Sequence, residues 1–308
     1  MRVLTGIDVT EAMLGSGTNV PEPATGEAIW VDATAYAVGD EVILTSTHRV
    51  YKCAAAHTSA PAMRPDLAPD KWQDMAPTQR FAPFDMYVST AASHADSVVY
   101  EITPTQYIDS IMLFGVKGVS CKIEIVGEGF EYFTELFEAP DGWFEYLFMP
   151  SRPIDRVFVS DLPFVGMPKY RITVSAPGST ASIGMILIGE LIDLMPAVSE
   201  NRGMGGVTYG AVAEPASYSY IKTEDDGTTR IVRRHSATNL RCTAVLPQFD
   251  ADRAALLLHG LLDRPSAWIP SRTKGYSSLN VFGLLSSAPV TYTSHSFVTI
   301  EFDIRGMI

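Results

Sequence analysis

Apolar positions along most of this chain fall in short runs broken by turn-forming residues, a spacing that predicts strands rather than helices. Lys122-Ile123-Glu124-Ile125 and Arg171-Ile172-Thr173-Val174 alternate polar and apolar residues, so each predicts a strand with one face in water. Gly184-Met185-Ile186-Leu187-Ile188-Gly189 lacks that alternation and predicts a central strand covered on both faces. Further strands are expected at residues 98–102, 110–114, 144–148 and 156–159. Short strands recurring at intervals of about ten residues predict an antiparallel β-sandwich over residues 84–195.

The flanking segments have their own punctuation. Residues 1–24 predict one short strand at 2–7, then a Gly/Ser/Thr/Asn stretch ending in Pro21-Glu22-Pro23. This is expected to be an arm, able to pair with a neighbouring subunit's sheet edge. Residues 25–80 predict a small unit with strands at Val42-Ile43-Leu44, at Arg49-Val50-Tyr51 and around Trp72. Pro61, Pro65 and Pro69 remove backbone donors and make the segment before Trp72 a loop. Gly203, Gly205, Gly206 and Gly210 mark a linker into residues 205–308. There a hairpin is expected to turn at Asp225-Asp226-Gly227, because glycine accepts the positive φ that a tight turn requires. A strand at 240–246 leads to a helix at 251–262, with Asp250 as its N-cap and Pro265 beyond its end. Strands around Trp268, at 278–285 and at 297–304 complete a β-rich docking domain with one helix. The expected fold class is mainly β throughout.

At 308 residues the chain has room for two or three cores. Its formal charge of -12 opposes a phosphate backbone or an anionic membrane, so neither nucleic acid nor membrane is expected as a partner. Arg233-Arg234 is the one basic cluster in the C-terminal third, and neighbouring strand residues point to opposite faces. The first twenty residues carry Asp8 and Glu11 and lack the apolar core of a secretory signal. No run approaches the roughly 20 apolar residues needed to span a bilayer.

Chemistry finds little support in the residue pattern. Cys53, Cys121 and Cys242 lie far apart and are odd in number, which predicts free buried thiols rather than disulfides or a zinc site. Glu124, Glu128, Glu131, Glu135, Glu138 and Asp141 offer carboxylates, yet the run reads as a solvated face rather than the fixed pair that glycoside hydrolysis needs. The histidines form no HExxH, and no serine sits in a Gly-x-Ser-x-Gly elbow. No catalytic residue, metal ligand or cofactor is expected.

One local pattern stands out: Trp30-x5-Tyr36-x2-Gly39-Asp40-x-Val42, followed by Tyr51-Lys52-Cys53 and Trp72. It resembles carbohydrate-binding modules of the chitin-binding type (family 5/12-like). The resemblance implies sugar binding, with Trp30, Tyr36, Tyr51, His57 and Trp72 as the carbohydrate-binding candidates. Read on their own, the same rings are also the large apolar groups that a module of this size has for a core, and both roles stay open.

The order of elements over most of the chain resembles tail proteins of tailed bacteriophages. The resemblance rests on the N-terminal arm, the module running into Lys71-Trp72-Gln73-Asp74-Met75-Ala76-Pro77, and the sandwich ending Ile186-Leu187-Ile188-Gly189-Glu190. It continues through the strands from Arg230 to Leu246 with the helix and Trp268. It implies a non-enzymatic structural component of a tail tip or baseplate, located in the virion tail and in the host cytoplasm during assembly. The implied partners are other virion tail proteins, further copies of itself in a ring or trimer, and host cell-surface polysaccharide. The sandwich is similar to galactose-binding-like domains, whose ligands sit at loop ends. The alternative is a carbohydrate-binding protein, lectin-like or accessory to a polysaccharide hydrolase. Phe130, Tyr132, Phe133, Trp143, Phe144, Tyr146 and Phe148 exceed what alternating strands need to bury, which points to interfaces.

Overall fold

The N-terminal strand Arg2–Gly6 lies between two other strands of its own chain, antiparallel to Met185–Asp193 on one side and to Ser266–Ile269 on the other. These relationships come from a computed structural model that describes residues 1–138, 140, 142–149, 152–194, 206–223, 227–232, 236–271 and 276–307. The arm expected at residues 1–24 therefore does not offer a free edge to a neighbour, because both of its ladders are filled from within. Its sequence explains the placement. Val3 and Leu4 are consecutive, so they face opposite sides of the sheet, and both are fully buried. Val3 joins a core with Trp268 and Ile304, whereas Leu4 joins one with Met112, Phe114 and Phe282.

The result is a single 11-stranded sheet that passes through the sandwich and the C-terminal region without a break. From one edge its order is Arg156–Val159, Ser110–Phe114, Met185–Asp193, Arg2–Gly6, Ser266–Ile269, Val281–Ser287, Phe297–Gly306, Ser236–Pro247 and Gly206–Val207, with Val212–Ser217 also paired to Ser236–Pro247 and Val290–Tyr292 to Phe297–Gly306. A second sheet, Glu131–Glu135, Ser120–Ile125, Tyr170–Ile183 and Ala92–Ile102, packs on its sandwich end. The chain is mainly β, as the periodicity predicts. Ile123, Ile125, Ile172 and Val174 enter the core between the sheets, while Lys122, Glu124, Arg171 and Thr173 alternate with them and keep partial contact with solvent. Met185–Asp193 is covered on both faces: Ile186 and Ile188 belong to the sandwich core, and Met185 and Leu187 to the core on the other side.

Residues 144–148, expected as a strand, are instead a short helix, α1 (Trp143–Phe148). Aromatic residues favour strands chiefly through cross-strand packing, and among the described residues no strand pairs with this segment. The place in the ladder is taken by Glu131–Glu135, which pairs with Ser120–Ile125. Beyond it, Phe137 bridges Pro153 and closes the neck of the loop that carries α1.

The second helix, α2 (Ala251–Leu261), buries Ala251, Ala254, Leu258 and Leu261, an i, i+3, i+4 stripe that packs on the C-terminal core. Asp250 does not cap it with its side chain; the residue ends a 3-10 turn, Gln248–Asp250, that runs straight into α2. The hairpin Tyr220–Thr223 with Thr229–Val232 forms as expected, with Gly227 at φ 82°. Asp225, Asp226, Arg233, Arg234, Gly203, Gly205 and Asp141 lie outside the described residues. Among the described residues no helix is long and apolar enough to cross a membrane.

Residues 25–80 form a small β unit. Its sheet is Glu41–Leu44, Arg49–Cys53 and Trp72–Pro77, with Ala35–Tyr36 paired to His57–Thr58 beside it. A run of rings ties it to the sandwich: His48 stacks on Phe81 at 3.8 Å, Phe81 meets Phe84 at 6.2 Å, and Phe84 meets Tyr100 at 5.4 Å. Tyr100 reaches back, its hydroxyl donating to the Arg80 carbonyl at 2.8 Å.

Candidate functional site

The five residues proposed for sugar stacking are brought together, but mostly as the core of the small unit. Tyr36, Tyr51 and Trp72 are buried. The Trp72 ring meets Tyr36 edge-on at 5.1 Å and His57 edge-on at 5.2 Å. Each polar tip is used internally. Trp72 Nε1 donates to the Met63 carbonyl at 3.0 Å, the Tyr36 hydroxyl accepts from the Val31 amide at 2.9 Å, and the Tyr51 hydroxyl lies 3.2 Å from Thr47 Oγ1. Tyr36, Tyr51 and Trp72 thus contribute their rings to the core of the small unit.

Trp30 and His57 differ, being half-buried at the margin of that core. His57 Nδ1 is 2.8 Å from the Ala55 carbonyl, an acceptor, so the ring donates there. Among the described residues neither His57 Nε2 nor Trp30 Nε1 has a hydrogen-bond partner. These two are the members of the candidate set that keep unspent polar capacity.

Where the small unit meets the sandwich, His48 Nδ1 lies 2.9 Å from Glu22, and the same carboxylate accepts from Thr78 Oγ1 at 2.7 Å. Glu11 completes a group whose donor atoms lie within 4.8 Å of one another. Arg80 already stands 3.4 Å from Glu11, so both carboxylates have internal partners, and the group reads as a clasp holding the unit in place. A comparable network holds Glu101, which is buried and paired with Lys169 at 3.1 Å and Arg171 at 2.9 Å. Desolvation opposes ionisation there, yet the hydrogen bonds from Arg171 and Lys169 outweigh it and hold the Glu101 pKa below the ordinary carboxylate range.

Exposed aromatic surface lies elsewhere, at the two ends of the sandwich. At the end where Arg156 pairs with Phe114, α1 projects Trp143, Phe144, Tyr146, Leu147 and Phe148, every one exposed. Its ring contacts are internal: Trp143 with Tyr146 at 6.1 Å and Phe144 with Phe148 at 5.3 Å. At the opposite end, where Val159 pairs with Ile111, Tyr107 and Phe164 meet at 5.8 Å with Phe164 82% exposed. The sequence reading names the α1 aromatics but misses Tyr107 and Phe164. A signal was present: Pro163, Gly166 and Pro168 surround Phe164 and keep its ring out of any ladder.

The chain matches no family model, no curated protein and no solved structure.

Proposed function

We propose that this chain is a non-enzymatic structural component of the tail tip or baseplate of a tailed bacteriophage, built into the virion through contacts with other tail proteins. The observation that carries the reading is the aromatic surface of α1, displayed on a body built of antiparallel sheets. Large exposed apolar patches rimmed by charge belong to interfaces. A single sheet running through two cores provides a body on which such a surface can be held in register. The resemblance in element order to phage tail proteins supplies the particle. The test is gold-labelled antibody against the chain on purified virions of a phage that encodes it. Label at the tail end supports the reading, and virions that lack the chain by mass spectrometry overturn it.

A second reading, glycan recognition, draws on a different observation. Tyr107 and Phe164 present tilted, exposed rings on loops at one end of the sandwich, where a sugar's apolar face can stack. Host surface polysaccharide is the ligand class this reading names, and it places the contact away from the small unit's buried aromatics.

A further inference from the structure

The 11-stranded sheet rolls back on itself, and two contacts show where. The rings of Phe114 and Phe282 meet at 6.0 Å, although they stand on the second and sixth strands of the ladder order. From the first strand, Arg156 Nη1 donates to the Asn280 carbonyl at 2.6 Å, immediately before that sixth strand begins. Beside these contacts the roll leaves a cavity of about 150 Å³. Its apolar wall is Phe114, Val281, Phe282 and Met307, and Asp155 and Arg156 line it as well. A space of that size holds a molecule about as large as benzene.

The two charges set the chemistry. Arg156 Nε lies 3.6 Å from Asp155 Oδ1, too long for a hydrogen bond, so the charges are neighbours without being joined. The guanidinium is anchored through Nη1 by the Asn280 carbonyl and, at 3.4 Å, by that of Ser278. Among the described residues Nη2 takes no partner. The fork is thus held in place by backbone oxygens while one of its donors is unspent, the arrangement that receives a carboxylate.

We infer that this cavity binds a free aliphatic α-amino acid, its carboxylate on Arg156, its ammonium on Asp155 and its side chain against Phe114, Phe282 and Met307. Such a molecule carries opposite charges one carbon apart, and the wall supplies their complements from consecutive residues. A simple anion would meet the Asp155 carboxylate, and a simple cation would meet the Arg156 guanidinium. A purely apolar molecule would face both charges and pair with neither. The side chain of leucine is within the space that a benzene-sized cavity offers, and the apolar wall removes it from water. None of α1, Tyr107 and Phe164 lines the cavity, so amino-acid binding holds or fails separately from the virion and glycan readings.

Isothermal titration calorimetry of the full chain with L-leucine tests this. Saturable binding of about one equivalent is expected at millimolar concentration or below, a strength within reach of so small a ligand. Isocaproate lacks the ammonium and isoamylamine lacks the carboxylate. Each is expected to bind about 10-fold or more weakly than leucine, the worth of a hydrogen bond to a charged group. Asp155→Asn weakens leucine binding by a similar factor and leaves the melting temperature unchanged, because the Asp155 side chain is 67% exposed. Arg156→Gln weakens it too, with folding checked by far-UV circular dichroism. In protein labelled at its methionine methyl groups, leucine shifts the Met307 signal, which is identified by its absence from Met307→Leu. Absence of saturable heat with leucine overturns the inference, as does isocaproate or isoamylamine binding as tightly as leucine. Leucine binding that Asp155→Asn leaves unchanged, or that leaves the Met307 signal in place, overturns it equally.

Discussion

Gly189 lies so close to Thr5 that a Cβ on the glycine would run into the threonine's backbone carbonyl. In the ladder Gly189 pairs with Gly6, next to Thr5 with Glu190, so the approach occurs where the N-terminal strand enters the sandwich. The first six residues are thus a seam between two cores, and the seam needs a residue without a side chain at position 189. Gly189→Val is expected to destabilise the protein by about 1–3 kcal/mol, the usual cost of forcing bulk into packed structure. The check is the urea midpoint. Removing residues 1–6 should do more, because it exposes an edge of Met185–Asp193 and an edge of Ser266–Ile269 together. That variant is expected to aggregate rather than unfold cleanly.

Glu101 sets an acid limit on stability. Its pKa is held low in the folded protein despite burial, by Arg171 and Lys169. A group with a depressed folded pKa binds its proton more readily when unfolded, so its contribution is present above the unfolded carboxylate value of about 4.3. It is lost as pH falls through the lower folded value. Glu101→Gln should therefore lower the melting temperature at neutral pH and leave a flatter dependence on acid than the parent shows. Equal parallel curves for the two proteins would contradict this assignment.

How far the sequence reveals this architecture depends on whether the cause is local. Alternation at Lys122-Ile123-Glu124-Ile125 is decided by the two faces of one strand, so its burial pattern can be read directly from the chain. The placement of Arg2–Gly6 cannot, because its partners lie more than 180 residues away at Met185–Asp193 and beyond. The adjacent pair Val3-Leu4 was the available hint, since two neighbouring apolar residues in a short strand imply cover on both faces. Trp143–Phe148 misleads for the opposite reason: strand-favouring rings form a helix where no ladder is present to receive them. Of the proposed sugar contacts, the residue types were legible but their direction was not. A small unit fills its core with the same rings it could display, and only packing decides which.

The cysteines predict an alkaline limit to match the acid one. Burial raises the Cys121 thiol to about 12 and the Cys242 thiol to about 11, and pushes Cys53 upward as well. The thiolate is the reactive form, so an aromatic disulfide reagent at mildly alkaline pH should release almost no chromophore from the native protein. In denaturant all three thiols should react, since none is in a disulfide. A raised thiol pKa keeps the proton in the folded state while the unfolded chain loses it. Stability should accordingly decline as pH rises above the unfolded value of about 8.5. Cys121→Ala should flatten that limb, even where cavity formation lowers stability overall.

Trp72 and Phe164 separate core from display, and one pair of measurements distinguishes them. Trp72 is buried and donates to the Met63 carbonyl, so Trp72→Ala removes a large ring and leaves that carbonyl unpaired. The expected cost is about 3–5 kcal/mol, enough to unfold residues 25–80 locally while the 11-stranded sheet, built from other strands, persists. Limited proteolysis should then cut within that unit and spare the rest. Phe164 is 82% exposed, so Phe164→Ala should change the melting temperature by no more than the small shift typical of surface substitutions, about 0.5 kcal/mol in stability. If the Tyr107–Phe164 rings contact polysaccharide, that same variant loses retardation in affinity electrophoresis through host surface glycan. Retardation that survives Phe164→Ala and Tyr107→Ala but disappears with Trp30→Ala would return the glycan contact to the small unit, where His57 and Trp30 keep their unspent polar atoms.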